Sequence, residues 1–104
     1  MAQFDVYRNP NPAGRDVAPY VVDLQSDLLN ALPSRWVAPL KVSRSIPARV
    51  AGLMPDVEVA GKSYTVFTYE SGAVPAHSLG KCVASLTHHR SEFVAAVDLL
   101  LSGI

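Results

Sequence analysis

Charge is scarce in this chain of 104 residues: Asp, Glu, Lys and Arg make up 17% of it, and nine acidic residues offset nine basic ones. An average globular protein carries roughly 25% charged residues. With no basic field to hold a phosphate backbone, direct and unaided binding of DNA or RNA is disfavoured. Cysteine is nearly absent. The single Cys82 excludes an internal disulfide, fits a reducing compartment, and is expected to be a small buried structural residue. No apolar run approaches the ~18 residues of a membrane span, and Met1 to Asp5 lacks the basic-then-apolar build of a signal peptide. The expectation is a cytoplasmic protein with no membrane contact. At this length the chain reads as one domain, 1–104, whose high surface-to-volume ratio favours self-association, with a homodimer as the first expectation.

The residue sets that carry chemistry are missing as well. There is no Gly-x-Ser-x-Gly elbow, and Ser78 beside His77 has no local arrangement for a nucleophile. No glycine-rich phosphate loop occurs. His88 and His89 are adjacent, so on a helix they diverge by about 100° and do not converge on one ion. Asp23 and Asp27 lie across a strand and a turn and are not brought together reliably. Trp36 and Tyr7, Tyr20, Tyr64 and Tyr69 lack the interleaved cations of a stacking platform, and read as core and dimer-interface residues. The sequence thus gives no support for catalysis, a cofactor or a metal.

What is present is alternation. Gln3 to Arg8 predicts a first strand with Phe4 and Val6 on one face and Gln3, Asp5 and Tyr7 on the other. Asn9 to Asp16, with two prolines and a glycine, predicts a long mobile loop open to partners through Arg15 and Asp16. Tyr20 to Gln25 predicts a second strand, turned by Ser26-Asp27. The apolar pair Leu28-Leu29 follows, either tucked under the sheet or on display. Arg35 to Leu40 predicts a third strand in which Pro39 must lie at an edge or bulge. Lys41 to Pro55 is irregular. Val57 to Tyr69 predicts a hairpin reversed at Gly61, with Tyr64 and Val66 on one face of its second strand and Phe67 and Tyr69 on the other. Ser71 to Pro75 closes the strand region.

A helix is predicted from about Thr87, which could cap it, to Leu101, with Phe93, Val94, Val97, Leu100, Leu101 and Ile104 on one stripe and Leu99 outside it. Its last turn is apolar nearly all round. The sequence stops directly afterwards at Ser102-Gly103-Ile104, and an apolar tip of this kind suits gripping a partner better than breaking bonds.

The residues Gln3-Phe4-x-Val6-Tyr7, Val22-Asp23-Leu24-Gln25-Ser26-Asp27, Val37-x-Pro39-Leu40, Val74-Pro75, Val83-Ala84-x-Leu86 and Gly103-Ile104 give the chain its likeness. It resembles the CcdB family, toxins of ccd toxin–antitoxin pairs, over nearly the full length and most weakly between Lys41 and Pro55. The resemblance implies a mostly β fold with a C-terminal helix: an SH3-like, partly open antiparallel β-barrel of the CcdB/MazF toxin type, assembled as a homodimer. It further implies a non-enzymatic inhibitor that binds the DNA gyrase A subunit and traps the enzyme with its DNA cleaved. A CcdA-like antitoxin would neutralise it, and the two together would repress their own operator, the antitoxin making the DNA contacts.

Carried onto this sequence, the implied gyrase-binding set is Leu28, Leu29, Asp98, Leu101, Ser102, Gly103 and Ile104, supported by Gln3, Phe4, Tyr7 and Ser26. Arg15 and Asp16 are the candidates for antitoxin contact. The best-known member has Trp at Ser102, Phe at Leu101 and Asn at Asp98, and serine offers no aromatic face to a target cation. Two alternatives therefore stand beside the main reading: an endoribonuclease toxin of the same barrel, and a non-toxic homologue that binds the antitoxin.

Overall fold

The computed structural model describes residues 2–43 and 49–103. Among the described residues seven strands form one curled antiparallel sheet: β1 (Asp5–Arg8), β2 (Tyr20–Asp23), β3 (Ser34–Val42), β4 (Asp56–Val59), β5 (Lys62–Val66), β6 (Gly72–Pro75) and β7 (Cys82–Ser85). Their order is β4-β5-β3-β2-β1-β7, and β6 pairs with β3 beside this path. The one α-helix among the described residues, α1 (Arg90–Ser102), follows a 3-10 turn at Thr87–His89. The fold is therefore mostly β with one C-terminal helix, as the alternation requires.

The period of two sorts the strands into two buried layers. Val6, Val22, Leu24, Ala38, Leu40, Val57, Val59, Tyr64 and Val66 gather on the concave face, where Phe4, Leu86 and the helix residue Phe93 close over them. The Phe4 and Phe93 rings lie 5.3 Å apart. On the opposite face Tyr7, Val21, Val37 and Leu79 form a smaller cluster, against which Val74 of β6 packs. Tyr7 is therefore buried in a second layer.

Several boundaries differ from the sequence reading, each for a visible reason. Pro39 sits inside β3, the most heavily paired strand, and not at an edge or bulge. Below it β3 pairs with β6 through Ser34 to Val37, and above it with β5 through Leu40 to Val42. The Pro39 carbonyl accepts from the Phe67 amide on that same flank, so the missing N–H falls where the partner changes and no ladder bond is lost. The hairpin turn is tight: Ala60 and Gly61 both have positive φ, at 52° and 80°, as a two-residue turn between twisted strands demands. Its second strand ends at Val66, and Phe67 and Tyr69 belong to a 3-10 turn and its cap. β7 was not foreseen, and it leaves Cys82 exposed rather than buried.

The helix buries Phe93 and Ala96, with Val97 partly packed, and exposes Val94, Leu100 and Leu101; Leu99 is half-buried. The predicted stripe is thus rotated. Ala96, a small residue, lets the helix lie close to the sheet. Thr87 does not cap α1, whose first turn has no side-chain cap; its hydroxyl bonds that of Ser85. The loop before β2 is tied down by its own side chains. Asn9 Nδ2 donates to the Ala18 carbonyl, Asn11 caps a 3-10 turn at Pro12–Gly14, and Arg15 Nε donates to the Asn9 carbonyl. Among the described residues no helix is long and apolar enough to cross a membrane.

Candidate functional site

A buried polar network explains the Asp23-Leu24-Gln25-Ser26-Asp27 run. Asp23 lies on β2 with none of its surface exposed, and the register Asp23↔Val37 brings Arg35 of β3 to it. Arg35 Nε and Nη2 lie 2.8 and 2.6 Å from Asp23 Oδ2. The remaining guanidinium donors reach Asn30 Oδ1 and the Gln25 carbonyl. Asp23 Oδ1 accepts the Gln25 amide. Burial pushes the Asp23 carboxyl up from its ordinary value, while the hydrogen bonds from Arg35 and from the Gln25 amide pull it down. Burial also pushes the Tyr7 hydroxyl up to about 12, with the Asp5 carboxylate adding to it, so Tyr7 stays neutral as a packing residue.

From this anchor the chain is led outward. Gln25 Nε2 donates to the Leu29 carbonyl, and Gln25 Oε1 accepts the Trp36 amide. Ser26 Oγ accepts the Leu28 amide and caps the 3-10 turn Asp27–Leu29. Asp27 Oδ1 accepts the Gln3 amide at 2.7 Å. Every polar residue of the run therefore serves one end: it fixes a short turn whose two leucines face outward. Leu28 is 94% exposed and Leu29 47%. Of the two placements the sequence left open, display is the one observed.

Gln3 joins this turn to the helix. Its Nε2 donates to the Leu24 carbonyl and its Oε1 accepts from Arg90 at the start of α1. Phe4 is buried yet has φ +70°, a conformation that costs a non-glycine residue of order 1–2 kcal/mol. It is held by its amide to the Asp23 carbonyl at 2.6 Å, by its carbonyl to the Leu86 amide, and by the Phe93 ring. Gln3, Phe4, Leu24, Trp36, Phe93, Val94, Val97 and Asp98 line an open cleft of about 160 Å³. The structure therefore brings Gln3, Phe4 and Asp98 to one cleft and Ser26, Leu28 and Leu29 to the turn bonded to it.

At the helix end Leu101 is 79% exposed. Gly103 terminates α1 at φ +77°, its amide donating to the Leu99 carbonyl, which is the left-handed cap that favours glycine. Ser102 Oγ turns back and donates to the Asp98 carbonyl at 2.7 Å. Ile104 lies outside the described residues. Tyr7 is on the opposite face of the sheet from Phe4, below the surface, and Asp16 is exposed on the first loop while Arg15 is half-buried.

Two features bear on the sequence reading of other chemistry. The rings of His88 and His89, in the 3-10 turn before α1, do not diverge as expected but lie with centroids 4.4 Å apart; His89 Nδ1 contacts Glu92 Oε1 at 2.6 Å. Among the described residues no group of three His, Cys, Asp or Glu is placed to hold a metal. The Cys82 thiol is pushed up by partial burial and by Asp5, so it is kept protonated. Sequence reasoning missed Arg35 and Asn30 as supports of the site. The signal was an arginine in an otherwise apolar strand, paired to an aspartate in the strand before it.

The model of the CcdB protein family matches residues 3–103. The match spans the Gln3 cleft, the Asp23 network, the leucine turn and the glycine that ends the helix. The chain belongs to the CcdB family, the gyrase-poison toxins of toxin–antitoxin pairs.

Proposed function

We propose that this protein is a toxin that acts by contact: as a homodimer it binds the A subunit of DNA gyrase and traps the enzyme on cleaved DNA, until a CcdA-like antitoxin removes it. The observation that carries the proposal is the display of Leu28 and Leu101, 94% and 79% exposed, the first on a turn that Gln25, Asn30 and Ser26 tie to the buried Asp23–Arg35 pair and the second at the end of α1. Large apolar side chains displayed on a rigid support are the build of a binding face. The antitoxin is expected to contact Arg15 and Asp16, and operator DNA to be reached only through it, in keeping with the zero net charge.

A second reading, a non-toxic homologue that binds the antitoxin, is favoured by Ser102. Its hydroxyl is satisfied within its own helix, so the tip has no large side chain at that position to offer a target. The experiment adds the purified protein to gyrase and supercoiled DNA, and separately to RNA. Linearised, protein-linked DNA that disappears with Leu101→Arg supports the proposal. Antitoxin binding with no gyrase effect supports the second reading. RNA cleavage without gyrase defeats both and establishes the ribonuclease alternative.

A further inference from the structure

The main path of the sheet ends in two open edges, β4 and β7, and the two are finished differently. β4 carries carboxylates at its exposed positions, Asp56 and Glu58, and charge on an outer strand discourages pairing with another chain. β7 carries none. Cys82, Val83, Ala84 and Ser85 are all uncharged, and Val83 is 49% exposed. The strand is also bulged: its register on β1 runs Asp5↔Ser85 and Val6↔Ala84, then shifts to Tyr7↔Cys82, so Val83 has no partner residue on β1. Continued by one residue, that register sets Lys81 opposite Arg8, the last residue of β1, and both side chains are exposed.

We infer that β7 is the acceptor for an extended acidic segment of another protein, which adds to the sheet as a further strand and places its carboxylates against Arg8 and Lys81. Three observations converge. First, β7 pairs with β1 alone, so the backbone groups on its outer flank face no strand among the described residues. Such a row is a template for strand addition. Second, like charges opposed across neighbouring strands are destabilising. Neither Arg8 nor Lys81 is in an ion pair among the described residues, and an anion from outside relieves both. Third, the charge of the edge is polarised. Asp5, at the other end of β1, pairs with Ser85 and accepts the Ala2 amide. Incoming carboxylates are therefore repelled from the Ser85 end and drawn to the Lys81 end. In the antiparallel pairing that predominates in sheets, the added strand lays an apolar residue on Val83 and carries its acidic residues on the C-terminal side.

This surface lies at the end of β1 remote from Gln3, so the inference stands apart from the gyrase reading. The probe is a capped synthetic peptide, Thr-Val-Thr-Val-Glu-Glu, titrated into the full-length protein while its amide chemical shifts are followed. The expected result is that shifts are confined to β7 and Arg8, and that affinity falls about tenfold in Lys81→Glu and again between low and physiological salt. The same peptide N-methylated throughout keeps its side chains but cannot donate to β7, and should not bind. Absence of binding by the parent peptide, or shifts centred on the loop from Asn9 to Asp16, overturns the inference. So does equal affinity of the N-methylated peptide, which refutes strand addition, or an affinity untouched by Lys81→Glu, which refutes the selection for acid. Sedimentation of Val83→Arg supplies the last check: if this substitution alone dissociates the protein, a second copy occupies β7 and the inference fails.

Discussion

Arg35→Ala is the substitution that tests the supporting architecture most directly. Arg35 and Asp23 are 1% and 0% exposed, and truncation removes the guanidinium from Asp23 Oδ2, from Asn30 Oδ1 and from the Gln25 carbonyl at once. Removing one member of a buried pair strands the other charge, at a typical cost of about 3–5 kcal/mol. A domain of this kind has a total stability of about 5–15 kcal/mol, so the loss is a large fraction of it. For a chain of this length, each kcal/mol shifts Tm by roughly 4–8 °C, and the expected fall is therefore about 12–40 °C.

Urea titration of the unaltered protein, Arg35→Ala, Asp23→Ala and the double variant closes the cycle. The double variant should be less destabilised than the sum of the singles, with a coupling of about 0.5–3 kcal/mol as expected for groups in contact. Hydrogen exchange adds a second readout: the amides of Leu29 and Asn30 should lose protection before those of β5, because Gln25 no longer anchors the turn. A cost below about 1 kcal/mol for Arg35→Ala, or strictly additive singles, would refute the claim that the pair organises the turn.

Two further outcomes follow from local geometry. At Gly103 a Cβ would meet nothing within 4 Å, so only the φ of +77° opposes a side chain; Gly103→Ala should cost about 1 kcal/mol, with Gly103→Asn costing less because asparagine tolerates that conformation, and an equal cost for the two in urea titration would contradict this. Asp56 is affected most by its partial burial, which raises its carboxyl, but hydrogen bonds from Thr65 and Arg49 and the Arg49 charge together outweigh burial and hold it below its ordinary 3.8. A depressed carboxylate contributes stability that is present above its unfolded value and lost as pH falls through the folded one. Asp56→Asn should therefore show a shallower decline in urea midpoint below about pH 4 than the unaltered protein, and parallel acid limbs would exclude the contact.

How much of this was legible in sequence depended on how far apart the cooperating residues lie. The hairpin at Gly61 was plain because alternation and turn chemistry sit within a few residues of each other. The first three strands were recognisable, but Pro39 was misplaced, since whether a proline interrupts a ladder depends on which partner faces it, and the change from β6 to β5 is a property of the assembled sheet. β7 was overlooked because Cys-Val-Ala-Ser is short and weakly patterned, and its pairing with β1 spans most of the chain. The apolar stripe of α1 was rotated because Ala96, not a large residue, marks the side that meets the sheet. The resemblance named Leu28, Leu29 and Asp98, and only the register of β2 against β3 revealed Arg35 as the means by which the leucine turn is held.

Phe4 constrains what mutation can do at the front of the molecule. Its backbone conformation, φ +70°, invites glycine, while its ring, stacked 5.3 Å from that of Phe93, forbids it. A β-branched replacement fails on the first count and a small one on the second. Sequence drift at position 4 is thus closed from two directions, and any library of random variants should return this position as one of the least permissive, although the residue is almost wholly buried.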